Sequence, residues 1–142
     1  AGVATDATAL LGVRNNTLIA AGDRLYWFDA ARGTLLTQYP AGQPDVAATA
    51  TASPRGIGQG TIAGDQVWWP TRENILVFST QPERRGNGFV PQLVKEIPLV
   101  PRGLTGGNLV INGNKLIIAT GTQLAVFGDQ PPVAPVPKPE IR

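Results

Sequence analysis

The chain repeats itself. Laid on itself at an offset of 49 residues, it puts Val13, Ile62 and Ile111 in register, and Asn15-Asn16 falls on Gly64-Asp65 and Gly113-Asn114. The same offset brings Leu18-Ile19 onto Val67-Trp68 and Leu116-Ile117. With one extra turn residue in the later copies, Leu25-Tyr26-Trp27-Phe28 falls on Ile75-Leu76-Val77-Phe78 and Leu124-Ala125-Val126-Phe127. Turn-forming pairs between apolar runs mark hairpins, because tight turns need backbone conformations that Gly, Asn and Asp adopt most readily. Matching hairpins at one spacing constrain the fold more than any single motif does.

The central copy is the clearest, running from Gly56 to Phe78 as GIGQGTIAGDQVWWPTRENILVF. A first strand ends near Ile62, and Gly64-Asp65 predicts a type I′ turn. A second strand, Val67-Trp68-Trp69, stops at Pro70-Thr71-Arg72, and a third follows as Ile75-Leu76-Val77-Phe78. Fourth strands are predicted at Thr34–Tyr39, after a turn at Ala31-Arg32-Gly33, and at Gln92–Ile97, after a long loop from Gln81 to Pro91. The third copy shows no fourth strand. Beyond it, the prolines of residues 129–142 predict an extended, polyproline-like tail, and residues 41–56 read as a linker-like insertion.

A unit of about 40–50 residues carrying four strands is the signature of a β-propeller blade. The expected fold is therefore all-β: a partial β-propeller of about three four-stranded antiparallel blades, the last lacking its outer strand. The blades fall within residues 1–128, at about 9–40, 57–99 and 104–128. Val67-Trp68-Trp69 and Leu116-Ile117-Ile118 are apolar at consecutive positions, so both faces of these strands seek burial, as a blade between two others would provide. A β-sandwich would not produce the offset.

Composition agrees and narrows the chemistry. Seventeen Gly, thirteen Pro and no window with a 3.6-residue apolar period predict a turn-rich β chain without helices. A net charge of +2 without a basic, aromatic-interleaved stripe does not point to nucleic acid. The absence of Cys and His removes the thiolate nucleophile, the commonest general base and the commonest metal ligands. No apolar run approaches the ~20 residues of a membrane span. The opening at Ala1-Gly2-Val3 reads as a processed or trimmed start.

Leu25-Tyr26-Trp27-Phe28 followed by Asp29-Ala30-Ala31-Arg32-Gly33-Thr34-Leu35-Leu36 resembles the blade motif of pyrroloquinoline-quinone-type propellers. That motif is an apolar strand, Asp-Ala-x-Thr-Gly, and a strand ending in Trp. Gly64-Asp65-Gln66-Val67-Trp68-Trp69-Pro70-Thr71-Arg72, with Ile75–Phe78, resembles blades of large bacterial proteins of the same quinoprotein-like group. The resemblance covers most of residues 9–128 and departs from the motif at Arg32, which replaces its Thr, and at Thr37, which replaces its Trp. The later copies lack the Asp-x-x-x-Gly turn, and no carboxylate set matches the Ca²⁺ site of the group's dehydrogenases. The resemblance implies a quinoprotein-like, WD-like propeller fold and a periplasmic or cell-envelope location.

The candidate residues are weighed by strand parity. Phe28, Phe78 and Phe127 share one strand position and read as core between blades, with ligand contact as the alternative. Trp68 and Trp69 point to opposite sheet faces, so at most one reaches any given site, and core packing is the favoured role. Arg55 and Arg102 share the setting Pro-Arg-Gly-[Ile/Leu] before a first strand, and strand alternation puts them on one rim with Arg72. Three guanidiniums there suit a carboxylate or phosphate on a partner; hydrogen bonds to Gly-rich loop carbonyls are the alternative. Arg84-Arg85 belong to the opposite rim. The ten carboxylates are scattered, with no pair spaced for acid–base work or a metal cage. Gly56-x-Gly58-x-Gly60 precedes a strand rather than a helix, so it does not read as a phosphate loop.

These observations lead to no catalytic residues, metal or cofactor. The expected function is a non-catalytic binding or scaffolding module that mediates protein–protein assembly. The alternative is the C-terminal part of a larger quinoprotein-type oxidoreductase whose catalytic residues lie elsewhere. Expected partners are further propeller blades from the same gene product, or another protein chain.

Overall fold

Short apolar runs broken by Gly, Asn and Asp pairs become strands, because each run can pair with the next only by turning back. The computed structural model describes residues 7–40, 55–128 and 136–137. The first four strands are β1 (Ala9–Arg14), β2 (Thr17–Ala21), β3 (Leu25–Asp29) and β4 (Thr34–Tyr39), hydrogen-bonded in that order as blade 1. Blade 2 contains β5 (Thr61–Ala63), β6 (Gln66–Pro70), β7 (Asn74–Ser79) and β10 (Leu93–Pro98). Between β7 and β10 stands a separate hairpin of β8 (Glu83–Arg85) and β9 (Gly88–Val90). Blade 3 contains β11 (Asn108–Asn112), β12 (Lys115–Ala119) and β13 (Gln123–Phe127). The fold is all-β, a partial propeller of three antiparallel meanders.

Among the described residues blade 3 has no full outer strand; its fourth place is taken by β14, the pair Val136–Pro137, which aligns with Leu124 and Gln123. The predicted tail thus contributes two paired residues; its remainder, and residues 41–54 of the linker-like stretch, lie outside the described residues. Gly56 forms an isolated antiparallel bridge with Thr71, so this end of the predicted linker joins blade 2. The long loop predicted at Gln81–Pro91 is partly folded as the β8–β9 hairpin.

The turns also differ from one another. Asn15 and Asn16 both have positive φ, 48° and 64°, as a type I′ turn requires. At Gly64-Asp65 and Gly113-Asn114 only the glycine is positive, at 60° and 61°. Positive φ at the first position alone is the II′ pattern, so the expected I′ turn at Gly64-Asp65 is corrected: a Gly in first place lets Asp65 keep an ordinary conformation. One 3₁₀ turn, Val100–Arg102, links blade 2 to blade 3.

The blades pack face to face, and strand parity decides which side each residue serves. Val67, Trp69, Leu76 and Phe78 join Ile19, Ala21, Leu25 and Trp27 in a core between blades 1 and 2. Ile75 and Val77 join Leu109, Leu116, Ile118 and Ala125 between blades 2 and 3. Blade 2 is therefore buried on both faces, as its consecutive apolar positions predict. Leu18–Ala20, Val67–Trp69 and Leu116–Ile118 occupy equivalent second strands and are buried or half-buried throughout.

Candidate functional site

Each blade has a leading face, toward the blade before it, and a trailing face. Cross-strand pairing lays one row across each leading face: Val13–Leu18–Phe28–Leu35 in blade 1 and Ile62–Val67–Phe78–Leu93 in blade 2. Blade 3 has Ile111–Leu116–Phe127. Apart from the outer-strand Leu35 and Leu93, these are the residues that the repeat aligns. In blades 2 and 3 the middle of the row is covered: Val67, Phe78 and Leu116 are buried. The half-buried Ile62 packs on the first core and the half-buried Ile111 and Phe127 on the second, while Leu93 at the outer edge is 50% exposed. In blade 1 the same row is open, with Val13 48% exposed and Leu18, Phe28 and Leu35 half-buried.

The trailing faces show the converse. Ile19 and Trp27 in blade 1 are fully buried, and Trp68 of blade 2 packs against the second core. Their counterparts in blade 3, Ile117 and Val126, are only half-buried, and Val110 beside them is 55% exposed. Leu124, counterpart of the buried Leu25 and Ile75, is 37% exposed. The chain thus carries the two halves of an inter-blade contact at opposite ends, each without its usual cover from another described blade.

The sequence-selected aromatics divide accordingly. Trp69 and Phe78 lie in the first core, Trp68 and Phe127 border the second, and Trp68 and Trp69 serve opposite faces. Phe28 is the correction: it belongs to the open leading face of blade 1, where it stacks on Tyr26 at 6.2 Å, and joins neither core. Trp27 was not selected, yet it is wholly buried and meets Phe78 edge-on. Its signal was parity with Ile19, directly across the strand pair.

Backbone contacts place the segments carrying the three arginines beside one turn. Arg55 precedes Gly56, which bridges Thr71; the carbonyl of Arg72 accepts from the Gly106 N–H at 3.4 Å; and the N–H of Leu99, which opens the turn holding Arg102, donates to the Glu73 carbonyl. All three side chains are exposed, and among the described residues none enters an ion pair. The Arg102 guanidinium lies 5.4 Å from the Phe127 ring centroid, which ties it to the second core. Arg84 and Arg85 stand in the β8–β9 hairpin, on the rim with Asp65, whose carbonyl accepts from Thr80 N–H.

A cleft of about 310 Å³ opens between blades 1 and 2, lined by Thr8, Ala21, Asp23, Gly56, Gln59 and neighbouring small residues. Asp23 is the ionisable side chain in its lining, so the cleft offers backbone polar groups but no acid–base pair. Among the described residues no group of three His, Cys, Asp or Glu side chains could hold a metal ion, and no helix is long and apolar enough to cross a membrane. No protein-family model and no curated protein matches the chain.

Proposed function

We propose that this chain is a non-catalytic scaffolding module, built of quinoprotein-like propeller blades, that assembles with further blades through its two end faces. One observation carries the reading. A row of residues repeated at positions 13/62/111, 18/67/116 and 28/78/127 packs on an inter-blade core in copies 2 and 3, with Val67, Phe78 and Leu116 buried. In copy 1 the row joins neither core: Val13 is exposed, and Leu18 and Phe28 are half-buried. The matching trailing positions Ile19, Leu25 and Trp27 of copy 1 and Ile75 and Val77 of copy 2 are buried, and Trp68 packs half-buried on the second core. In copy 3, Ile117 and Val126 are half-buried outside either core and Leu124 is exposed. Apolar surface at sites that elsewhere form a core favours a partner, because each Å² removed from water contributes about 25 cal/mol. The partner that fits such a surface is another blade, from the same gene product or from another chain. Arg55 and Arg72, exposed on one rim, supply a place for a carboxylate or phosphate of that partner. Membership of the quinoprotein-like group, with its periplasmic or cell-envelope setting, belongs to this reading and rests on the Asp29–Gly33 turn.

The test is site-specific photo-crosslinking in the producing cell. A photoreactive residue at Val110, on the open trailing face, is expected to capture a polypeptide made of propeller blades, this chain included. The same residue at Leu93, on the outer strand of blade 2, serves as the control. Equal capture at the two sites, or adducts within a single chain only, overturns the proposal.

A further inference from the structure

The two open faces lie on one chain and are opposite halves of the same contact. We infer that the partner is a second copy of this chain, docked head to tail, so that blade 3 of each copy meets blade 1 of the other. This rests on the reading of the end faces given above and names their occupant.

Three features of the chain support a second copy. The first is continuity with the interfaces already formed. The open trailing face presents Ile117, Leu124 and Val126, whose counterparts Ile19, Leu25 and Trp27 pack on the leading face of blade 2, and beside them Val110, whose counterpart Gly12 lies against Ile62. The open leading face presents Val13, Leu18 and Phe28, whose counterparts receive the preceding blade in copies 2 and 3.

The second feature is size. At the leading position shared by Tyr26, Leu76 and Ala125, the smallest residue, Ala125, stands in the core that Trp68 of blade 2 packs against. The largest, Tyr26, stacked on Phe28, stands in blade 1, where docking by a second copy brings Ile117 and Val126, both smaller than Trp68. Large faces small across the second interface, and docking of a second copy would repeat that pairing, which close packing favours. Ala20 and Tyr26 are already buried, so the surface left to cover is formed by Leu10, Val13 and the half-buried row behind them.

The third feature lies at the rim. The Gly56 N–H donates to the Asp23 carbonyl at 3.0 Å, and the Gly106 N–H donates to the equivalent Arg72 carbonyl. The equivalent carbonyl of blade 3 belongs to Gly121, which is exposed beside the open face. A docked blade therefore meets apolar surface and a backbone acceptor together.

Geometry allows closure. A head-to-tail contact yields an open filament unless rotation brings it back on itself. Two copies of three blades make a ring within the about four to eight blades that propellers use. Both ends of both chains are then covered at once, with no unpaired face left to grow.

The experiment uses the intact chain and measures mass by light scattering at micromolar and at sub-millimolar concentration. The expected result is twice the chain mass of 14.9 kDa. Val110→Glu and Val13→Glu each place a charge in the contact at an exposed site, and each is expected to abolish the doubled mass while leaving the far-ultraviolet spectrum unchanged. Mixing the two variants decides the orientation. A head-to-tail pair keeps one fully native contact, between the blade 3 that retains Val110 and the blade 1 that retains Val13, so the mixture regains a dimer. A dimer broken by Val110→Glu but indifferent to Val13→Glu is tail-to-tail and overturns the inference. A wild-type chain that stays at 14.9 kDa throughout overturns it too; the Val110 crosslink then shows separately whether a different chain takes the face. Because the chain contains no Cys, a second readout is clean. Val13→Cys and Val110→Cys copies, mixed and oxidised, are expected to form a disulfide-linked pair that neither gives alone. Absence of that pair in a sample of doubled mass also overturns the head-to-tail arrangement.

Discussion

Trp27 and Phe78 meet edge-on across the first inter-blade core, with ring centroids 5.5 Å apart and planes at 76°. Trp27 lies on the trailing face of blade 1 and Phe78 on the leading face of blade 2. This contact therefore shows what the chain's open faces lack. Its ring is wholly buried, and its Nε1 has no hydrogen-bond partner. Trp27→Ala is expected to cost about 3–5 kcal/mol, as large core aromatics do. Trp27→Phe gives up no hydrogen bond and keeps most of the packing, so it should cost less than half as much. Urea denaturation of the two variants checks the order; equal losses would mean that ring packing is not what holds the blades.

Gln81 ties blade 2 to blade 1 on the opposite rim. Its Oε1 accepts from the Thr17 hydroxyl at 2.9 Å, and its Nε2 donates to the Arg14 carbonyl at 2.9 Å. Thr17 is 4% exposed, so losing its acceptor leaves a buried hydroxyl without an equivalent partner. Gln81→Ala is expected to lower stability by about 1–3 kcal/mol. Neighbouring Glu83→Ala, whose exposed side chain pairs with exposed Arg85, should stay within about 0.5 kcal/mol. Comparable losses for the two would assign Gln81 no clasp.

How much of this was legible follows from what sets each feature. Adjacent Trp68 and Trp69 announced a strand buried on both sides, because successive side chains point to opposite faces. The repeat then fixed which turns share a rim, and Arg55, Arg72 and Arg102 gather around Thr71–Glu73 for that reason alone. Phe28 looked like core because its repeat partners are core. Its exposure depends on whether a blade stands in front of it, which is a tertiary fact with no local signature. The β8–β9 hairpin was hidden for another reason: Glu83-Arg84-Arg85 shows no apolar alternation and stays exposed, and what shelters Phe89 and Val90 of β9 is a tertiary neighbour, β4 of blade 1. β14 is two residues long, too short for any period to show. The turn at Gly64-Asp65 suited both I′ and II′ by composition, since Asp tolerates either sign of φ at second place.

Gly106 packs where a side chain has no room. A Cβ built there would lie 2.0 Å from the Thr71 carbonyl oxygen, a backbone atom that cannot step aside cheaply. Gly106→Ala must therefore push the link between blades 2 and 3 apart, and overpacking of this kind costs typically about 1–3 kcal/mol. Gly121→Ala, with nothing within 4 Å of the new methyl, is the matched control and should be close to neutral. Thermal melts of the pair test the claim, and a Gly106→Ala melt matching the wild type would refute it.

Arg102 and Arg72 share a rim but differ in what they touch. Arg102 rests over the Phe127 ring, whereas Arg72 is exposed with no ring contact among the described residues. Arg102→Ala is expected to cost about 0.5–1 kcal/mol, the range for a cation over an aromatic face at the surface. Arg72→Ala should leave stability within about 0.5 kcal/mol. If the rim binds an acidic group on a partner, Arg72→Ala weakens that binding at low salt and less at high salt, since exposed charges are screened. Salt-independent binding of the Arg72 variant and wild type alike would remove Arg72 from the contact.

Blade 2 should be the last part of the chain to exchange its amide hydrogens. Its central strands are covered on both faces, with Val67, Trp69 and all of Ile75–Phe78 at 3% exposure or less. Blade 1 is covered on its trailing face by blade 2, and blade 3 on its leading face. Opening an outer blade exposes one interface, while opening the middle one exposes two, and the free energy of local opening scales with the apolar surface released. In the isolated monomer, native-state exchange is expected to rank β6 and β7 slowest and the exposed β8–β9 hairpin fastest, with β1 and β13 between them. Assembly through the end faces changes this order, because Val110, Ile117 and Val126 then become interior. Protection of β12 and β13 should rise with protein concentration, as should that of β2 and β3, while β6 and β7 stay constant. Concentration-independent exchange in all three blades would mean that neither end face is covered by another copy.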